Sequence, residues 1–250
     1  MTFMSFNRRM GVASEEFDRD GFVILRSLLP HSDLFCFESE FRQLQKRGFD
    51  PAEQYDVCSQ LASFLRIVSN QRISTAVSRL MPGSGPLYCF TNRCLVAPPH
   101  DDRRAYGWHQ EVFYTIPDSR FVQTWAPFFE PSTRENGTIE VCVGSHRAGV
   151  PKQSWIDQPG RATQIIVDQD VVDQYEQRAI EMQVGDLLLF DGRLFHRSGQ
   201  NTSTRTRYSL VGMYHDTEHP GFRGPKPGFD YRGLTPREAW VKAESDREAD

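Results

Sequence analysis

Nothing in the 250-residue sequence approaches the roughly 18 consecutive apolar residues of a membrane span. The basic pair in MTFMSFNRRMG has no apolar core behind it, so no signal peptide is expected. The five cysteines, Cys36, Cys58, Cys89, Cys94 and Cys142, form no CxxC pair. Their odd number and irregular spacing argue against a disulfide scaffold and for reduced thiols in a cytoplasmic setting. Positive charge is not in excess: the net charge is -4, so no general attraction to nucleic acid is expected. Internal repeats and low-complexity tracts are absent too. What remains, with 38% hydrophobic and 25% charged residues, is a globular chain long enough for one domain with a sizeable core. Its expected partner is a small molecule rather than a membrane or nucleic acid, and it is expected as a monomer or homodimer.

Two periodicities divide the chain. Up to residue 86 the pattern is mainly helical. Ser14–Phe22 reads as a short helix capped by Ser14 and stopped at Gly21, followed by a short strand, Phe22–Leu25. A second helix begins at Ser32 or Asp33, with Leu34, Phe37, Phe41 and Leu44 on one side, and ends at Gly48. A third is expected from about Ser59 to Leu80. From Leu87 the period shortens. Leu87–Ala97, Val112–Ile116, Phe121–Phe129, Ile139–Val143, Ile180–Val184, Leu187–Phe190 and Tyr208–Tyr214 read as strands separated by turn formers. So many short strands predict a sandwich or barrel over residues 87–216 rather than βαβ units. Residues 151–178 interrupt the rhythm as a lid or insertion, and 217–250 form a C-terminal extension.

Chemistry concentrates in GWHQEVFYT, Gly107 to Thr115. On a strand, His109 and Glu111 would project from one face and leave open positions on a metal ion. His196 is the best third ligand, because it follows the apolar run Leu187–Phe190 and a tight turn at Asp191–Gly192. Two imidazoles and one carboxylate make the facial triad of non-heme iron(II) oxygenases, although zinc accepts the same donors. Arg205 and Arg207 enter the last strand on one side. An arginine inside an apolar sheet needs an anion, and Arg207 is the one expected to face inward and clamp a small dicarboxylate.

Several ordered motifs, FDRDGFVILR at 17–26, WHQE at 108–111, ENGTIEVCVGSH at 135–146 and GDLLLF through HRSGQN at 185–201, together resemble the phytanoyl-CoA dioxygenase family of Fe(II)- and 2-oxoglutarate-dependent oxygenases. The resemblance implies an all-β core with helices (α+β), a double-stranded β-helix or cupin-like jelly-roll with helices packed on one sheet. It implies iron held by His109, Glu111 and His196, and 2-oxoglutarate and O2 as cosubstrates. Arg207 would take the distal carboxylate of 2-oxoglutarate, helped by Ser198, with Asn92 also placed at the cosubstrate. The family usually carries aspartate where this chain has Glu111.

The activity so implied is hydroxylation of a small, polar metabolite or natural-product intermediate, with release of succinate and CO2. Trp108, Arg104, Phe113, Gln123, Trp125 and His146 are the candidates for the substrate wall, and Gln110 should point away from it. The competing readings are a cupin-like metal-dependent isomerase or hydrolase, which needs no arginine clamp, and a non-catalytic metal-binding relative. A demethylase of protein or nucleic acid would need a broad basic face, for which the sequence offers little.

Overall fold

The structure, a computed structural model, describes residues 3–48, 57, 60–101, 106–113, 120–156 and 164–222. Helix α1 runs over Phe3–Asp20, well N-terminal of the expected Ser14 start. Met10, Ala13 and Phe17 are all buried at helical spacing, so the apolar stripe carries the helix through Ser14. Gly21, at φ +83°, ends it with its N–H on the Phe17 carbonyl, a left-handed stop that favours glycine. Strand β1 is Phe22–Leu25 and helix α2 is His31–Lys46.

The expected third helix is two: α3 over Ala62–Val68 and α4 over Gln71–Leu80. Between them Asn70 leaves the helical conformation, and its side chain accepts from the Arg72 N–H at 2.9 Å, capping a new helix. Apolar residues on both sides of the break bury in the same core, which is why the periodicity conceals it.

The remaining strands are β2 (Leu87–Ala97), β3 (Phe121–Phe128), β4 (Ile139–Cys142), β5 (Gln153–Ile156), β6 (Gln164–Val167), β7 (Gln177–Ala179), β8 (Leu187–Asp191), β9 (His196–Ser198) and β10 (Arg207–Asp216), with a short helix α5 at Gln169–Val172. A five-stranded sheet has the order β1-β8-β3-β10-β2 and a three-stranded sheet the order β7-β4-β9, while β5 and β6 form a hairpin. Every pair in both sheets is antiparallel. This is the two-sheet β-core flanked by helices that the motifs implied.

Two of the expected strands differ. The Ile180–Val184 run contributes only a bridge between Ser132 and Met182, and the ladder to β4 is made earlier, at Gln177–Ala179. Ile180 and Met182 each keep isolated backbone bonds, to Ile139 and Ser132, but their apolar side chains fill the space between the sheets and no ladder continues through them. Val112–Ile116 is no strand in its described part: Glu111–Phe113 is a 3-10 turn, and residues 114–116 lie outside the described residues. The insertion 151–178 carries β5, β6, α5 and most of β7, so it is structured rather than a plain loop.

The period-two alternation of β3, β8 and β10 sorts their side chains between two cores. Phe128, Leu189, Leu210 and Tyr214 face the helices, where Phe128 meets the Phe37 ring edge-on and Phe41 and Phe64 lie tilted against it. Trp125, Leu188, Phe190, Val211 and Met213 face the small sheet, opposite Ile139 and Val141. Phe37 is fully buried at the centre of the aromatic cluster. Phe37→Ala should therefore cost about 3–5 kcal/mol of unfolding free energy, measured as a lower denaturant midpoint at unchanged slope.

Candidate metal and anion site

The site is built on one backbone pairing. His109 and His196 form an antiparallel bridge, each donating its N–H to the other's carbonyl at 3.0 Å. Residues so paired project their side chains from the same face. The two imidazoles consequently lie side by side, ring centroids 4.2 Å apart. Each ring is held by its own chain two residues back. Nδ1–H of His109 donates to the Gly107 carbonyl at 2.7 Å, and Nδ1–H of His196 to the Leu194 carbonyl at 2.9 Å. That fixes the tautomer and turns both Nε2 atoms toward one point.

Glu111 reaches that point from the 3-10 turn. Its Oε2 stands 3.7 Å from Nε2 of His109 and 3.6 Å from Nε2 of His196. The donor atoms of the three residues all lie within 4.8 Å of one another. The strand geometry expected for His109 and Glu111 is corrected here. Only His109 is bridged, and the turn, with Val112 N–H on the Gly192 carbonyl, brings the carboxylate back to the histidines.

Burial opposes ionisation of Glu111, but the two imidazoles outweigh it and hold the carboxyl well below its usual range. Burial pushes His196 the other way, toward the neutral ring. A charged carboxylate and a neutral imidazole are the protonation states that metal ligation requires. The donor set, two nitrogens and one oxygen grouped on one side, suits Fe(II) with positions left open.

Arg207 opens β10 on the same inner face of the large sheet as Val211 and Met213. Its side chain is buried, and its guanidinium donates to the Asn136 carbonyl at 3.3 Å and to Ser209 Oγ at 2.6 Å. The Trp125 ring lies beneath it, 5.4 Å from Cζ. Among the described residues no carboxylate pairs with it, whereas its neighbour Arg205 is exposed and bound to Glu130 at 2.8 Å. Burial alone pushes Arg207 down, to about 10, so it remains a cation near neutrality.

The other sequence candidates divide. Ser198 pairs with Ile139 and so shares the inner face with His196. The next residue, Gly199, packs on Gly137, whose neighbour Asn136 accepts from Arg207, so Ser198 stands between the triad and the arginine along the chain. Gln123 and Trp125 are buried on the inner face. Asn92 is not: it pairs with Gly212, opposite Thr124, and belongs to the face turned toward the helices. One step in register puts Arg93, not Asn92, on the metal side.

Trp108 also leaves the site. It packs with Cys142, Val167, Val172 and Phe195 on the outer side of the small sheet, under the Arg197 guanidinium at 4.6 Å. His146 sits against Gly21 at the α1–β1 joint, so it is a packing residue there. Gln110 donates to the carbonyls of Gly149 and Arg193 at 2.8 and 2.6 Å and ties those loops together. Arg104 and the Phe113 side chain lie outside the described residues.

Sequence reasoning overlooked two groups. Ser209, two residues after Arg207 and thus on its face, was signalled by strand periodicity. His215 lies on β10 rather than after it, fully buried and stacked on Phe121 at 4.5 Å. Burial pushes it down to about 3 against the pull of the Glu111 carboxylate. A cleft of about 1050 Å³ borders Tyr106, Glu140, Arg197 and Ser198, but none of the three clustered donors lines it, so it does not locate the chemistry.

Two antiparallel sheets with helices on one, and two histidines and a carboxylate between them, define a double-stranded β-helix with a facial-triad metal site. The chain belongs to the family described as Phytanoyl-CoA dioxygenase (PhyH), which matches it over residues 67–209. It is 21% identical over 221 residues to the human peroxisomal phytanoyl-CoA dioxygenase, covering 78% of this chain and 64% of that protein. It is 28% identical over 142 residues to the 1-deoxypentalenic acid 11-beta-hydroxylase of Streptomyces arenae, covering 55% and 47%. The chain thus spans less than two thirds of either relative. The epimerase SnoN, whose crystal structure holds Fe3+, alpha ketoglutarate and nogalamycin RO, shares the fold with a TM-score of 0.70 at 18% identity, over 91% of this chain and 94% of that one. No helix among the described residues is long and apolar enough to cross a membrane.

Glu111→Ala should lower Fe(II) or Co(II) affinity by more than about 100-fold in an anaerobic titration, because one of three protein donors is lost. Gln110→Ala should instead leave two carbonyls without their donor and lower the unfolding free energy by about 1–3 kcal/mol, with metal stoichiometry unchanged.

Proposed function

We propose that the chain is an Fe(II)- and 2-oxoglutarate-dependent oxygenase that hydroxylates a small polar metabolite and releases succinate and CO2. The observation that carries this reading is Arg207: a buried cation with no carboxylate among the described residues, on the inner face of the large sheet toward the three metal donors. A buried, unpaired charge is costly, so the site is shaped for an anion. A dicarboxylate with one end at the metal and the other on Arg207 supplies that charge, and the planar guanidinium suits a two-point grip. The family membership and the relatives' printed activities support the same choice. A cupin-like isomerase or hydrolase would explain the triad but leave the arginine without a purpose.

In this reading His109, Glu111 and His196 hold the metal on one side only. When bound, Fe(II) would supply the redox chemistry by which O2 oxidises 2-oxoglutarate to succinate and CO2 and the substrate C–H to an alcohol. Arg207, with Ser209 keeping its Nη1 in place, would fix the distal carboxylate, and Ser198 is proposed to add a hydroxyl. Phe190, Val211 and Met213 keep water from the reacting centre. From the insertion, Val167 and Val172 pack on Cys142 and Phe195 at the outer side of the small sheet, and we read the chain as a single domain serving one active site.

Anaerobic addition of Fe(II) and 2-oxoglutarate should produce a metal-to-ligand charge-transfer band, and exposure to O2 should yield succinate. Absence of the band from the folded protein would refute the oxygenase reading. Arg207→Ala should weaken 2-oxoglutarate binding by about 10- to 100-fold while iron affinity stays within about twofold. The pH dependence has a definite sign. Arg207 is charged below its lowered value of about 10 and neutral above it, so 2-oxoglutarate affinity should hold through neutrality and fall as pH rises past 10, as titrations of the band would show.

A further inference from the structure

Gln123 is the one inner-face residue of β3 whose polar end the metal and cosubstrate do not account for. It is 4% exposed, and its Oε1 is fully buried with no hydrogen-bond partner among the described residues. Its register places it beside the metal donors. On one side its Cα partner is Phe190, whose ring meets that of His196 at 4.8 Å. On the other its partner is Met213, two residues before His215, which feels the Glu111 carboxylate. Trp125, the next residue on this face, leads on to Arg207. Gln123 is therefore a lone carboxamide in a wall of Phe190, Met213 and Trp125. Buried polar groups almost always have partners. Trp108, Gln110 and His146 also bury an unpartnered polar atom, but away from the metal donors. Gln123 joins an orphan atom to a place on the wall beside them, where a ligand can complete the set.

We infer that Gln123 is a specificity residue for the substrate, and that the substrate brings a hydroxyl or amine hydrogen to its carboxamide within an otherwise apolar wall. The inference rests on the oxygenase reading above and gives its substrate a chemical class. 2-Oxoglutarate cannot fill this role for Oε1, because at neutral pH its carboxylates and ketone are all acceptors. An entirely hydrocarbon substrate would leave the carboxamide as bare as it is now. A hydroxyl can meet either polar edge of the amide, whichever faces the metal.

The test compares wild type with Gln123→Met, which keeps the length of the side chain and removes both polar edges. A carboxamide kept for a ligand is a burden in the free protein, so the variant should melt about 2–4 °C higher. Its 2-oxoglutarate affinity, read from the anaerobic charge-transfer band, should stay within about twofold. Succinate release above the substrate-free rate, measured with a panel of monosaccharides, polyols, amino acids and hydroxylated polyketides, should fall at least about tenfold for the compounds that stimulate wild type. Gln123→Glu, which retains acceptor oxygens, should keep more of the response to amines than Gln123→Met does. A lower melting temperature for Gln123→Met would show that the carboxamide has a structural role, and would overturn the inference. So would a tenfold loss of 2-oxoglutarate affinity, which would assign the residue to the cosubstrate, or panel responses alike in variant and wild type. The oxygenase reading is judged separately, by the band in wild type.

Discussion

The reciprocal hydrogen bonds between His109 and His196 are the constraint on which the rest of the site depends. They join residues 87 positions apart in the sequence and put two imidazoles on one face, ring centroids 4.2 Å apart. The ring–carbonyl bonds to Gly107 and Leu194 then remove the remaining rotational freedom. A metal site assembled from rigid backbone costs little to reorganise when the ion arrives, because the donors already converge. Glu111 completes it from a turn, and a turn can take up the extra methylene that distinguishes glutamate from the aspartate expected of the family.

The large sheet divides structural from chemical duties by alternation. The side chains of β10 that face the helices, Leu210 and Tyr214, lock the sheet to the aromatic cluster around Phe37. Those facing the small sheet, from Arg207 to His215, run from the anion end of the site to the metal end. A single strand thereby spans the distance from the arginine to His215, whose surroundings include Glu111. The large aromatic core behind the sheet makes that distance stiff, since packed interiors do not deform continuously.

Sequence reasoning recovered the elements with strong periodicity and the residues whose chemistry is hard to explain otherwise. β1, α2, β2, β3, β4, β8 and β10 stand close to their expected bounds because their apolar patterns are long and bracketed by turn formers. His109, Glu111 and His196 come together as the spacing suggested, though through a bridge and a turn rather than one strand. The misses share a cause: periodicity reports burial, not hydrogen bonding. Ile180 and Met182 are buried without a ladder, and the two short helices around Asn70 bury one continuous stripe. Asn92 shows the complementary weakness. Its residue type suited the site, but facing is decided by pairing with Gly212, and a register shift of one residue exchanges it with Arg93.

Arg207 and Gln123 illustrate two different uses of an unmet polar group. The arginine carries a full charge, so the free-energy gain on meeting a carboxylate is large, and the partner must be an anion that is always present when the enzyme works. The carboxamide is neutral, so its unmet bond is a smaller burden, tolerable in the resting protein and suited to choosing among substrates of similar shape. Both groups stand on the inner face of the same sheet, on either side of Trp125. The charge proposed to fix the cosubstrate and the dipole proposed to select the substrate are therefore held in fixed relation by one pair of strands, β3 and β10. A substrate lacking the matching hydrogen would still fit the apolar wall, but it would bury the carboxamide without a partner, and that penalty is a physical basis for discrimination.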